Sequence, residues 1–265
     1  MPELPDVETF RRIAAKCVGR TVRRVSVDDP GMLKGVSHGT LQRLLKDARI
    51  ASAARHGKHL FLALATGCLA MHFGTNGSLR LLREGEAEPR FVRFHLVLAE
   101  GDRLAYLNPR RIGEVRWAKN AESFIAEARL GPDALDRRFD LMAFRELVEG
   151  RKRDVKSILM DQQSLAGIGN IYSDEILFQA RIHPAIRGEA LAKEQIQRLF
   201  KSIKQVLKTA IARGAGSEAG AERLPRFFLM RERRRGGHCP RCGTGLAMMK
   251  RAGRTSYFCP RCQTR

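Results

Sequence analysis

The sequence predicts an α+β chain in which a β-sandwich comes first, an all-helical segment follows, and a small cysteine-held ribbon closes the chain. Residues 21–117 break into short apolar or alternating runs between Gly, Asn, Pro and charged turns, the pattern of strands in a sandwich or barrel. From residue 121 to 213 the apolar period lengthens to that of helices. At the end stand two C-x2-C pairs, CPRC at 239–242 and again at 259–262. These changes divide the chain at 1–120, 121–230 and 231–265. A length of 265 residues with 43% hydrophobic side chains supports more than one core.

The elements follow in order. Val7, Phe10, Ala14 and Cys17 recur at helical spacing, so residues 6–18 read as an amphipathic helix ended by Gly19. Val22, Val25 and Val27 open the strand region, continued by HLFLALA, CLAMHF, FVRFHLVLA, RLAYLN and IGEVRW. AESFIAEARL is helical and stops at Gly131-Pro132. Asp140 caps a run to residue 149, with Leu141, Phe144 and Leu147/Val148 on one face. Two helices, near 155–161 and 171–180, flank SLAGIGN, and a long one covers 193–213. GAGSEAGAE then reads as a mobile glycine-rich stretch, and residues 231–235 are almost pure positive charge. There are no internal repeats.

Lysines and arginines number 49 against 28 aspartates and glutamates, a net charge of +21 and a pI near 10.7. Such an excess on a folded chain points to a polyanion, and nucleic acid is the commonest because each neutralised phosphate releases counterions. Between Arg213 and Arg265 there are 13 basic residues and 3 acidic ones, so about half the net charge sits in a fifth of the chain. Clustering favours a binding face over general solvation. MPELPDVETF lacks the apolar core of an export signal, and the longest apolar stretch, residues 60–71, falls short of the ~20 residues that span a bilayer. The expectation is a soluble intracellular protein with no membrane partner. Cys17 and Cys68, alone in apolar surroundings, read as buried structural thiols.

The remaining cysteines are Cys239, Cys242, Cys259 and Cys262, with sixteen residues between the pairs. Each pair bends its thiolates toward one point, an intervening hairpin brings the pairs together, and four thiolates satisfy one tetrahedral zinc. A closed shell of four makes the metal structural, not catalytic. Two redox dithiols are the alternative. The hairpin so held carries Lys250, Arg251 and Arg254, able to meet phosphates.

Two further segments carry chemistry. In LAGIGN, residues 165–170, two glycines permit a tight turn, and the helix starting at Asn170 offers free N–H groups as a phosphate site; such glycines also serve simple packing. The preceding RKRDVK adds positive charge. In MPELP, removal of Met1 leaves Pro2 as a terminal secondary amine, partly neutral at cellular pH, that can attack an aldehyde-like carbon and form an iminium. Glu3 beside it can shuttle protons. A proline in second place is also common and inert.

Taken together, PELPDVET, GKHLFL around Lys58, HFGTNGSLRLL, NPRRIG, SILMDQQSLAGIGNIYSDEILF and GRTSYFCPRC resemble the formamidopyrimidine-DNA glycosylase and endonuclease VIII family of base-excision DNA repair, in the right order along essentially the whole chain. The resemblance implies a β-sandwich domain, a helix-two-turns-helix domain and a zinc ribbon. It also implies a monomeric, cytoplasmic, nucleoid-associated enzyme on damaged DNA, a DNA glycosylase and abasic-site lyase acting by β,δ-elimination. By resemblance Pro2 is the nucleophile and Glu3 the proton donor, and Lys58 and Arg254 occupy phosphate-side catalytic positions. Asn170 grips phosphate with Arg254, Arg151 contacts DNA, and Arg110 enters opposite the lesion. Read alone, Lys58 is a solvated strand-end lysine, Asn170 a helix cap and Arg254 a residue packed beside the metal.

Departures fall at lesion recognition. Thr75, Arg110 and Ile112 stand where the formamidopyrimidine branch has methionine, arginine and phenylalanine to fill the void left by the flipped base. Asp6 replaces a glutamate, Phe91 a histidine, and residues 214–237 do not match the 8-oxoguanine pattern of the damaged-base loop. These differences keep two rivals open: a lyase-dominant or altered-specificity enzyme for single-stranded, bulky or cross-linked damage, and a non-catalytic lesion-binding protein.

Overall fold

The computed structural model describes residues 1–251 and 253–264. They form two compact units, Met1–Pro2 with Asp6–Arg129, and Glu3–Pro5 with Leu130–Arg265. Helix α1 (Leu4–Ala15) leads, followed by β1 (Val22–Val27), β2 (Leu33–Lys34), α2 (His38–Leu45), β3 (Ile50–His56), β4 (His59–Leu64) and β5 (Gly67–His72). Then come β6 (Ser78–Leu82), β7 (Val92–Leu98), β8 (Arg103–Leu107), β9 (Glu114–Ala118) and α3 (Ala121–Glu127).

The nine strands make two sheets, β1-β7-β8-β6 and β2-β9-β5-β4-β3, antiparallel except for the β2–β9 pair. Leu60, Leu62, Leu69 and Met71 from one sheet share a single buried cluster with Phe94, Leu96, Leu104 and Tyr106 from the other, and α1 adds Val7, Ala14 and Cys17. The sandwich is the architecture expected from the short runs. β4 reads as a continuous apolar run because both faces are covered: the ring of Phe61, on its outer side, meets Phe124 of α3 edge-on at 5.5 Å. The first unit therefore runs through α3 to Arg129, past the change of periodicity near residue 120.

Helix α2 lies where only strands were expected. Ser37 caps it by accepting the Thr40 N–H at 3.1 Å, and Leu41 and Leu45 are buried, but eight residues give too short a period to stand out among strand signals. Burial pushes the Cys17 thiol up to about 11 and that of Cys68 to about 12, which leaves both unreactive.

The second unit is built from α4 (Leu141–Val148), α5 (Val155–Met160), α6 (Asn170–Ala180), α7 (Lys193–Arg213) and the hairpin β10 (Ala247–Arg251) and β11 (Arg254–Phe258). Asp140 caps α4 through the Ala143 N–H at 2.9 Å, and Gly214, at φ +60°, ends α7. α6 is buried almost all round, including Tyr172, Ile176, Leu177 and Phe178, and packs on α5, α7 and β11. The start of the glycine-rich stretch is tied down, since the Tyr172 hydroxyl donates to the Ala215 carbonyl at 3.0 Å. No helix among the described residues is long and apolar enough to cross a membrane.

Candidate functional site

In the second unit, the Sγ atoms of Cys239, Cys242, Cys259 and Cys262 all lie within 4.8 Å of one another. Three of the separations are 3.5, 3.6 and 3.8 Å. Tetrahedral zinc, with Zn–S near 2.3 Å, spaces its sulfurs by about 3.8 Å, so the four thiolates fit one structural zinc. Backbone N–H groups of Arg241 and Cys262 point at Cys239 and Cys259 Sγ at 3.4 Å each. The ribbon is seated on α6 by Arg241, whose guanidinium lies 4.3 Å from the Phe178 ring centroid and donates to the Phe178 carbonyl at 2.9 Å. Gln263 adds a bond to the Ile182 carbonyl at 2.9 Å.

Sequence reasoning missed the residue that joins this ribbon to the turn before α6. Lys156 is fully buried, and its ammonium donates to Asn170 Oδ1 at 2.8 Å, Asp174 Oδ1 at 2.6 Å and Ser256 Oγ at 2.6 Å. Three protons meet three acceptors, the condition under which a buried charge is tolerated. Burial lowers the Lys156 pKa and the Asp174 carboxylate opposes that shift. Asp174 Oδ2 in turn accepts from Arg233 Nε at 2.9 Å and the Tyr257 N–H at 3.1 Å. Asn170 and the strand that begins at exposed Arg254 are thus held by one polar network. An ammonium only donates, so the Asn170 oxygen must face it and the amide NH2 remains for a ligand. The one sequence signal was a lysine inside the apolar run VKSILM.

The start of α6 differs from expectation. The Glu3 carboxylate accepts the N–H groups of Gly169 at 2.6 Å, Ile171 at 2.8 Å and Tyr172 at 3.2 Å. The anion at this helix N-terminus is therefore the protein's own, which replaces the phosphate expected there. Leu4 N–H also bonds the Gly167 carbonyl at 3.0 Å. Gly167, at φ +113°, lies so close to Leu4 that a Cβ would sit 2.6 Å from its Cδ1. Arg151, exposed in the α4–α5 loop, is fixed through its carbonyl, which accepts the Glu189 N–H at 3.0 Å.

In the first unit, Lys58 is 4% exposed in the two-residue turn between β3 and β4, where Gly57 has φ +55°. Its neighbour His59 stays neutral, because burial pushes its pKa down to about 3. Two loops meet beyond β5 and β8. Buried Asn108 donates to the Phe73 carbonyl at 2.9 Å and accepts the Arg110 N–H at 3.1 Å, while the Tyr106 hydroxyl donates to the His72 carbonyl at 2.8 Å. A Cβ on Gly74 would lie 2.6 Å from the Ile112 backbone, so the Thr75 loop is laid directly on the Arg110–Ile112 loop. Thr75 is half-buried, Arg110 is exposed and Ile112 is 57% exposed.

A second buried carboxyl sets a pH dependence. Glu175 accepts from Gln179 Nε2 at 2.6 Å and from the Met230 N–H at 2.8 Å, and burial pushes its pKa from the ordinary 4.5 up to about 7. Between those values the folded chain keeps a proton that the unfolded chain releases, so this contribution to stability is full below 4.5 and falls as pH rises through about 7. Thermal melts of the wild type should drop between pH 5 and pH 8 by more than those of Glu175→Gln. Equal pH slopes for the two proteins would contradict this.

Models of the formamidopyrimidine-DNA glycosylase N-terminal domain, of the H2TH domain of the same enzyme, and of the zinc finger found in FPG and IleRS match residues 1–115, 130–220 and 236–265. The formamidopyrimidine-DNA glycosylase of Edwardsiella ictaluri is 35% identical over 270 residues, covering 99% of this chain and all of that protein. That of Thermomicrobium roseum is 37% identical over 287 residues, with 99% of each covered. The crystal structure of Lactococcus lactis formamidopyrimidine-DNA glycosylase bound non-covalently to DNA containing an AP site superposes with a TM-score of 0.88 at 29% identity, over 99% of this chain and 100% of that one. The same enzyme with DNA containing Fapy-dG gives 0.88 at 28% identity, with the same coverage. With three domain models in order and curated relatives above 30% identity along its full length, this chain belongs to the formamidopyrimidine-DNA glycosylase family.

Proposed function

We propose that this chain is a bifunctional DNA glycosylase and abasic-site lyase whose N-terminal amine is its nucleophile. The observation that carries the reading is the tethering of the chain's start. Termini usually fray, yet here Glu3 and Leu4 make four hydrogen bonds to residues 167–172. A chain end held in this way suits a terminal residue that must meet a reacting carbon.

With Met1 removed, the Pro2 nitrogen adds to C1′ of a flipped nucleotide. The glycosidic electron pair leaves with the base and the amine N–H proton passes to the Glu3 carboxylate; the nitrogen lone pair then completes an iminium as the C1′–O4′ bond breaks, and Glu3 hands that proton to O4′ of the opened sugar. Elimination of the 3′ and then the 5′ phosphate follows. Lys58 and Arg254 serve the phosphate side, Asn170 offers its amide NH2 to a phosphate, and Arg151 adds a sequence-independent contact. The protein acts as a monomer, in the cytoplasm, at the nucleoid through its DNA.

The void left by the flipped base falls to Thr75, Arg110 and Ile112. A half-buried threonine reaches less far than a methionine, and an isoleucine cannot stack as an aromatic ring does. These features favour a variant specificity in which lesions in single strands are also processed. Arg110 remains the main polar group at the orphan base, where bidentate pairing to a guanine edge is worth about 1–3 kcal/mol. Single-turnover base release from one lesion, opposite each of the four bases and unpaired, tests the assignment. The expected result is weak discrimination, retained single-strand activity, and an Arg110→Ala variant slowed about tenfold or more on duplex but little on single strand. A strong opposite-base preference without single-strand activity would show that other side chains complete the wedge. Absence of base release and strand nicking on any lesion would leave only the lesion-binding reading.

A further inference from the structure

Phe91 is an exposed aromatic in an unusual backbone. It stands at φ +69°, a region that bulky L residues rarely occupy, and 45% of it is open to solvent. Neither feature serves the core, for the buried side chains of β7 begin with Val92 and continue through Phe94 and Leu96. A strained, exposed ring is a feature of sites, where ligand contact offsets the conformational cost.

Its surroundings indicate the ligand. The Phe91 carbonyl accepts the Asn108 N–H at 2.9 Å, which places the residue across from the start of the Arg110–Ile112 loop. Arg93 donates through Nε to the Asn108 carbonyl at 3.0 Å, and its guanidinium carbon lies 5.9 Å from the Phe91 centroid. Exposed Arg90 lies 5.1 Å from the same centroid. Arg111 pairs with Asp29 at 3.3 Å, and the Asp29 N–H bonds the Arg93 carbonyl at 3.2 Å, so the loop and the Phe91 turn are locked together. An aromatic face flanked by guanidinium groups is the chemistry that takes an unpaired base with its phosphates.

We infer that Phe91 is a base-stacking residue for the unpaired nucleotide of the strand opposite the excised one, supplying the aromatic surface that Ile112 lacks. The inference rests on the glycosylase reading above. Stacking on a ring tolerates any base, so Phe91 adds affinity without opposite-base discrimination. Arg90, being exposed, exchanges the ring for a phosphate when the base arrives.

The test uses the full chain and a duplex carrying 2-aminopurine opposite a stable tetrahydrofuran abasic analogue. Wild type and Phe91→Tyr should quench 2-aminopurine emission on binding. Phe91→Gly should lose the quenching and bind the duplex about fivefold or more weakly, and Phe91→Leu, which keeps an apolar side chain but no ring, should lose the quenching as well. Quenching that is lost in Phe91→Leu and kept in Phe91→Tyr is an outcome that a merely structural Phe91 would not produce. If Phe91→Gly quenches and binds like wild type, the inference is overturned and the glycosylase reading stands, provided that both proteins still trap on a single-stranded abasic oligonucleotide under borohydride. If the wild type neither binds nor traps abasic DNA, both are overturned.

Discussion

Borohydride reduction in the presence of an abasic-site duplex is expected to yield a covalent protein–DNA adduct, and Pro2→Gly to reduce it by at least an order of magnitude. In the proposed mechanism, the iminium on the terminal nitrogen is the species that borohydride would capture. Glycine retains a primary amine, so a residual adduct is expected, but it lacks the secondary amine and the fixed φ that proline supplies. An undiminished adduct mapped by peptide sequencing to a lysine would remove Pro2 from the mechanism. Glu3→Gln is expected to slow base release strongly while leaving duplex binding within a few-fold. The structure adds a cost to that variant. Two carboxylate oxygens take three N–H groups, whereas a glutamine offers one acceptor and turns its own NH2 toward a donor. Leaving a buried N–H unpaired costs about 1–3 kcal/mol, so the Glu3→Gln protein should also melt at lower temperature. Comparing base release at a temperature well below both melting points separates the proton-transfer loss from the stability loss.

Removal of zinc should damage DNA binding itself. Metal analysis should find one zinc per chain, and Cys259→Ser or strong chelation should abolish specific binding while the sandwich unit stays folded. The magnitudes support this. Structural zinc contributes about 10–16 kcal/mol in small ribbons, at least as much as the ~5–15 kcal/mol that holds a whole domain, so the ribbon's order depends on the metal. Loss of order frees Ser256 and Tyr257, and with them the partners of Lys156 and Asp174. Arg254 then has no fixed place, and the slope of log K against log salt should fall by about one for each lost phosphate contact. A metal-free preparation that is folded and binds abasic DNA as tightly as the zinc form would refute the assignment.

Much of this protein was legible in its sequence, because the relevant signals are local. The two C-x2-C pairs bring four thiolates to within 4.8 Å of one another, since each knuckle is set by a four-residue turn and the hairpin between them by its own pairing. Helix α7 covers residues 193–213 as the period and Gly214 require. The run of short strands forms the sandwich because alternation along a strand and the turn residues between strands are both short-range facts. The resemblance in ordered motifs pointed to the family that the domain models and full-length relatives establish.

Tertiary structure decided the rest, and the reason is distance along the chain. Glu3 meets Gly169 across 166 residues and Lys156 meets Ser256 across 100, pairings that no window of sequence contains. Lys156 appeared only as one more cation in RKRDVK, and burial turned it into the post between Asn170 and the zinc hairpin. The α6 N-terminus appeared as a vacant anion site, and the fold filled it with Glu3. Phe91 appeared as an odd substitution. Its positive φ, its exposure and its two arginine neighbours exist only once β7, β8 and the Arg110 loop are assembled. Spacing specifies which side chains share a local turn or face, whereas burial and long-range pairing, which set charge state and orientation, arise from packing elements together.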